Sequence, residues 1–146
     1  MKLTAFTDYT LRVLMYLALR PGELATITEM AAAYGISENH LMKVVHQLAR
    51  NGTIESVRGK GGGVRLVRQA GEINLGAVIR EAEGAAPIVE CFADRDACCI
   101  TPRCKLAGVL AGAFAALYAH LDAYTLADLI DEPAPLARLL HIEPNR

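Results

Sequence analysis

The sequence predicts a mainly α-helical chain with one small β-hairpin, and three observations predict it. Apolar residues recur at helical spacing in three successive blocks between residues 7 and 50. Two short β-rich runs flank the loop Gly59-Lys60-Gly61-Gly62-Gly63. A long apolar stretch then opens at Thr101-Pro102 and runs to about Ala123.

The first helix is expected from Thr7 to about Leu19, with Leu11, Leu14, Leu17 and Ala18 on one face. Thr7 suits an N-cap, and Pro21-Gly22 stops the helix. The second begins at Thr26, where Glu29 stands at capping-box spacing, and ends at Tyr34-Gly35. Ser37 caps the third, whose apolar face is Leu41, Val44, Val45 and Leu48, and Asn51-Gly52 closes it. The hairpin pairs residues 53–58 with 64–67. A fourth helix spans Asn74 to Glu83, with Leu75, Val78, Ile79 and Ala82 inward. Residues 85–101 show no period. In the long helix Leu106, Leu110, Ala113, Leu117, Leu121 and Tyr124 follow a near-heptad spacing. Thr125 and Asp128 cap a last short turn, and Pro133 and Pro135 begin a loose tail.

Of the 146 residues, 53% are hydrophobic and 21% charged, which excludes a disordered tail or linker. Four cysteines are too few for a disulfide scaffold. No signal peptide or span of membrane length is expected, which points to a cytoplasmic protein with reduced thiols and no membrane partner. The net charge of −1 hides an asymmetry: residues 1–70 carry nine Lys/Arg against five Asp/Glu, and residues 71–146 carry six against eleven. A basic half beside an acidic half suggests that the first meets a polyanion.

Helix, turn, helix and basic hairpin in that order make a winged helix-turn-helix, followed here by a long helix suited to dimerisation. In such a motif the second helix enters the major groove with its N-terminal residues at base edges. Ser37, Asn39, His40 and Lys43 stand there, with Glu38 among them. Asn and Lys read purine edges, while Ser and His hold phosphates or bases. Arg58, Lys60 and Gly61 suit a wing against the sugar–phosphate wall. The expected partner is double-stranded promoter DNA. A phosphate loop for nucleotides is excluded, because G-x-x-x-x-G-K-[ST] is absent and a strand follows the glycines.

Cys91, Cys98, Cys99 and Cys104 lie within fourteen residues. Zinc sites favour C-x2-C pairs, and none occurs. A redox disulfide remains an alternative. An iron–sulfur cluster is larger than one ion, so the spacing Cys91-x6-Cys98-x5-Cys104 can surround it. No Ser/His/Asp or Cys/His arrangement and no redox C-x-x-C on a βαβ unit marks an enzyme. His40, His46, His120 and His141 are not at metal spacing.

The segments LTAFTDYTLRVLMYLAL, YGISENHLMKVVHQLARNG, VRGKGGGVRL, CCITPRC and LDAYTLADLI together resemble a family of dimeric winged-helix iron–sulfur transcription regulators, and within it the repressors that sense nitric oxide. The resemblance covers about residues 2–130. It implies that Cys91, Cys98 and Cys104 ligate the cluster, with 4Fe-4S the first fit and 2Fe-2S the second. It implies a fourth ligand from the first helix of the other subunit, which is Asp8 here. A carboxylate is a hard ligand on a soft cluster, so its iron is the one a small diatomic attacks. An acidic residue in a first helical turn is also favoured by the helix dipole alone. The expected consequence is a homodimeric repressor, joined through the helix bearing Ala107, Gly108, Ala111, Gly112 and Ala115. Nitrosylation of its cluster releases Asp8, disorders the loop and frees the promoter. Relatives that sense iron–sulfur supply carry a histidine three residues after the last cysteine, where this chain has Ala107. A related regulator of iron–sulfur or redox status is the alternative. Cys99 departs from the family pattern: it either replaces Cys98 or stays free and oxidisable. The family's distance to the last cysteine favours Cys98. Residues 1–70 are the expected DNA-binding region, and 71–146 the cluster loop and dimerisation region.

Overall fold

The computed structural model describes residues 2–84 and 87–143. Residues 85–86 of the aperiodic stretch and the last three of the expected tail lie outside the described residues. Among those described, the chain is mainly helical, with one antiparallel pair of strands.

Helix α1 (Ala5–Ala18) starts earlier than expected. Thr4, not Thr7, is its N-cap: Thr4 Oγ1 accepts the Thr7 N–H at 3.2 Å. Both threonines offer capping chemistry and both hydroxyls donate to Glu83, but the helix begins at Ala5, which leaves Thr7 buried in the first turn as the residue whose N–H is capped. Helices α2 (Ile27–Tyr34) and α3 (Glu38–Arg50) form as their caps dictate. Thr26 and Glu29 close a reciprocal capping box, Gly35 ends α2 in the left-handed region at φ 64°, and Ser37 caps α3. Each such cap is worth about 1 kcal/mol. Strands β1 (Ile54–Val57) and β2 (Gly63–Leu66) pair from Ile54↔Leu66 to Val57↔Gly63. Val64 is further tied to Ala25 by hydrogen bonds of 2.8 and 2.9 Å, so the hairpin is anchored at the entrance to α2.

The core gathers on α1. Val13, Leu14 and Leu17 meet Met30, Leu41, Val44, Ile54, Ile73 and Leu126, all essentially out of solvent. Residues from beyond position 70 therefore complete the core of the helix-turn-helix. Helix α4 (Leu75–Glu83) is capped by Asn74, buries Leu75 and Ile79, and leaves Val78 and Ala82 half-buried. Its end grips the start of α1: Glu83 accepts from Thr4 N–H at 2.8 Å, from the Thr4 hydroxyl at 3.1 Å and from the Thr7 hydroxyl. The Thr7 hydrogen bond, foremost, holds the Glu83 carboxyl below the usual carboxylate value. A carboxylate with a lowered folded pKa stabilises the fold above its unfolded value and loses that contribution as pH falls through the folded one. Acid unfolding followed by circular dichroism should therefore lose stability less steeply below about pH 4.5 in Glu83→Gln than in the parent. Equal slopes would contradict this.

The segment after α4 holds a short helix α5 (Glu90–Ala93) and a 3-10 turn at Thr101–Arg103. The long helix was expected to open on Thr101-Pro102. Those residues form the 3-10 turn instead, and α6 (Lys105–Asp122) starts after Cys104. A further 3-10 turn, Leu126–Ile130, is capped by Thr125 and Asp128 as expected. The tail is not loose where described. Helix α7 (Pro133–Leu139) follows, and Leu140 and Ile142 bury against the core. Both prolines fall in its first turn, where backbone N–H groups have no helical partner to lose. No helix among the described residues is long and apolar enough to cross a membrane.

Helix α6 buries none of its residues. It is held to α4 at its C-terminal end, where Arg80 makes two 2.6 Å hydrogen bonds to Asp122 and lies 4.4 Å over the Tyr118 ring. Toward its start Leu106 is 62% exposed and Val109 67%. In one chain its apolar surface is thus largely unpartnered.

Candidate functional site

Two constellations stand out. The first is the outer surface of α3 and the hairpin loop. Ser37, Asn39, His40 and Lys43 are all exposed on the first turns of α3, because Leu41, Val44, Val45 and Leu48 bind its opposite face to the core. Met42, 54% exposed, and His46 extend the exposed stripe. Sequence reasoning passed over Met42, although its spacing from Asn39 and His46 places it there. The His40 ring also lies 5.9 Å from that of Tyr9 on α1, so a residue expected at DNA is in contact with the helix that carries Asp8. On the hairpin, Arg65 is engaged by Glu55 at 2.6 Å. Arg58 and Lys60 are exposed and, among the described residues, have no ion-pair partner. Gly61 takes φ 75°, as the turn requires, and a Cβ on Gly63 would lie 2.7 Å from the Ala25 carbonyl oxygen. The local turn thus accounts for these glycines, with or without DNA.

The second constellation is the cysteine loop. All four thiols are free: Cys91 and Cys104 are half-buried, and Cys98 and Cys99 are exposed. Cys91 sits on α5. Cys104 is the N-cap residue of α6, an 18-residue helix, and its side chain makes no cap to the first N–H groups. A groove of about 740 Å³ runs past Cys91, Thr101 and Pro102 to Ala107, Gly108 and Ala111 of α6.

One chain does not bring the expected ligands together. Among the described residues no three His, Cys, Asp or Glu side chains converge to hold a single metal ion. Asp8 lies on α1 and is paired with Arg12 through contacts of 2.9 and 3.2 Å. Arg12 in turn lies 5.7 Å over Tyr34, whose hydroxyl donates to the Arg12 carbonyl oxygen at 3.0 Å. Burial pushes the Tyr34 hydroxyl up to about 12. The donor set itself fits an iron–sulfur cluster: soft, uncrosslinked thiols on one short loop, in a groove also lined by Arg95 and Asp96.

Residues 3–132 match the family described as "Rrf2: Iron-dependent Transcriptional regulator". The chain is 48% identical over 145 residues to the HTH-type transcriptional regulator NsrR of Bacillus subtilis, covering 98% of this chain and 99% of that protein. It is 48% identical over 142 residues to the regulator of the same name from Geobacillus kaustophilus, covering 96% and 97%. Among solved structures, the oxidized form of Staphylococcus aureus CymR superposes with a TM-score of 0.69 at 28% identity, covering 88% of this chain and 95% of that one. IscR of T. potens shares the fold, with a TM-score of 0.74 at 24% identity over 93% and 90% of the two chains.

Proposed function

The chain belongs to the Rrf2 family of transcriptional regulators, and on that premise we propose that it is a homodimeric repressor of promoter DNA that responds to nitric oxide through an iron–sulfur cluster. It is a DNA-binding regulator with a winged-helix fold and not an enzyme. The observation that carries the sensing role is the set of free thiols on one loop, ending at the uncapped start of α6.

Residues 1–70 supply the DNA-reading lobe, and residues 71–146 the cluster loop and dimerisation region, in a cytoplasmic protein. Asn39 and Lys43 read base edges, His40 and Ser37 hold bases or phosphates, and Arg58, Lys60 and Gly61 set the wing against the backbone. Cys91, Cys98 and Cys104 would hold the cluster, with Asp8 of the second copy as fourth ligand. The preferred type is 4Fe-4S. When bound, the cluster supplies an iron to which nitric oxide can attach. To serve as a ligand, Asp8 would have to leave Arg12, its partner on its own helix. That exchange would bear on α1, against which α3 packs and on which Tyr9 meets His40. Two recognition helices must present matched half-sites one helical turn apart, so a change in their pose loosens the grip.

An absorption spectrum with iron and sulfide assays on oxygen-free protein tests the cofactor. Brown protein containing both is expected, and colourless protein loaded with zinc would overturn it. For the DNA face, Lys60→Ala should lower the slope of log affinity against log salt by about 1, with little change between sequences. Asn39→Ala should instead cost about 1–3 kcal/mol at one base position. Equal effects on specific and random DNA from both variants would remove Asn39 from base reading.

A further inference from the structure

Thr101 is the one described residue whose side-chain hydroxyl is shut away from solvent without a hydrogen-bond partner. A buried hydroxyl of this kind destabilises the fold that contains it, so its presence asks what it bonds to in the working protein. Its surroundings answer. The Thr101 N–H donates to the Cys98 carbonyl oxygen at 3.1 Å, and the Thr101 carbonyl oxygen accepts the Cys104 N–H at 3.3 Å. Thr101 is thus the midpoint of two consecutive turns that join one thiol to the other. It also lines the groove that Cys91 lines. Three cysteines from three parts of the loop therefore share Thr101 as a neighbour in the backbone or along the groove. Cys99 lies inside the first of these turns, but its own backbone closes neither of them.

Resting on the cluster reading above, we propose that the Thr101 hydroxyl is a hydrogen-bond donor to the sulfur of the iron–sulfur site, a positioning residue that holds the cluster in place. The hydroxyl satisfies itself when the soft sulfur acceptors are gathered beside it, and it has no partner when they are not. Hydrogen bonds to sulfur tune the potential of such clusters, and partners outside the ligand set raise the affinity for the metal. The same arrangement favours Cys98 over Cys99, because of the two only Cys98 is hydrogen-bonded through its backbone to Thr101.

The test compares Thr101→Val, which keeps the shape and removes the hydroxyl, with Thr101→Ser, which keeps the hydroxyl. Each is purified without oxygen and followed by visible absorption as a ferrous chelator withdraws iron. The valine variant should lose its cluster about 10-fold faster or more, and serine should behave like the parent. The melting temperature of the iron-free proteins gives the second readout. Valine should melt at the parent's temperature or above, because the hydroxyl has no partner there to lose. A valine variant that keeps iron as firmly as the parent overturns the proposal. So does an iron-free valine variant that melts lower, since the hydroxyl would then serve the fold alone. Parent protein without iron and sulfide overturns the cluster reading itself, which separates that failure from this one.

Discussion

Replacing Cys91 or Cys104 with alanine is expected to remove bound iron and visible colour completely while leaving the fold intact. Neither thiol is fully buried or part of a disulfide, and neither belongs to the apolar core around α1. Alanine tolerates the backbone of both positions, and Cys104 makes no side-chain cap whose loss would fray α6. Stability should stay within the small range of ordinary surface changes, about 0.5 kcal/mol. The effect on DNA should be large. If the cluster state is coupled to the recognition helices by about 1–3 kcal/mol, promoter affinity changes about 5–150-fold, and nitric oxide no longer alters it. Cys98→Ala should behave the same way, and Cys99→Ala should keep the colour. Iron analysis, thermal melting and fluorescence anisotropy on a promoter fragment check the three parts. A coloured, iron-replete Cys104→Ala would remove that residue from the ligand set.

Paired Leu106→Glu and Val109→Glu substitutions are expected to turn the dimer into a monomer and to weaken promoter binding about 100- to 10,000-fold. Both residues are more than half exposed on a helix that buries nothing within its own chain. An apolar helix surface of that kind marks an interaction site, and a second copy of the same helix satisfies it symmetrically. Two charges placed there would have to be desolvated in the interface, which association cannot offset. The loss on DNA is the loss of linkage between two half-site contacts, since each lobe alone keeps its own recognition helix. The substitutions touch no core residue, so circular dichroism should show a helical, folded chain. Sedimentation velocity gives the mass, and a variant that remains a dimer would move the interface elsewhere on the molecule.

The helix-turn-helix was legible because its boundaries are set by local chemistry. Thr26 with Glu29, Gly35, Ser37 and Asn51-Gly52 each fix an end through groups within a few residues. The hairpin was legible for the same reason. What failed depended on distant partners or on position within a turn. Thr7 and Thr4 both offer a cap, and the helix starts at the earlier one, where Glu83, far along the chain, gathers the Thr4 N–H and both hydroxyls. Pro133 and Pro135 read as breakers, but both sit in a first turn, and the register that puts them there is set by Leu140 and Ile142 entering the core. Thr101-Pro102 carries the signature of a helix start, yet the chain makes one tight turn before α6 begins. At the site, the exposed face of α3 followed from its apolar period. The pairing of Asp8 with Arg12 was open to a reading of their i, i+4 spacing. The contact of Tyr9 with His40 and the isolated Thr101 hydroxyl had no local signal, because each depends on how separate elements meet.

The most direct measurement is a titration with nitric oxide of protein purified without oxygen, with visible absorption and promoter binding recorded on the same sample. Bleaching and release from DNA should proceed together, reaching their end points at the same ratio of nitric oxide to iron. Promoter occupancy that holds while the colour disappears would contradict the account.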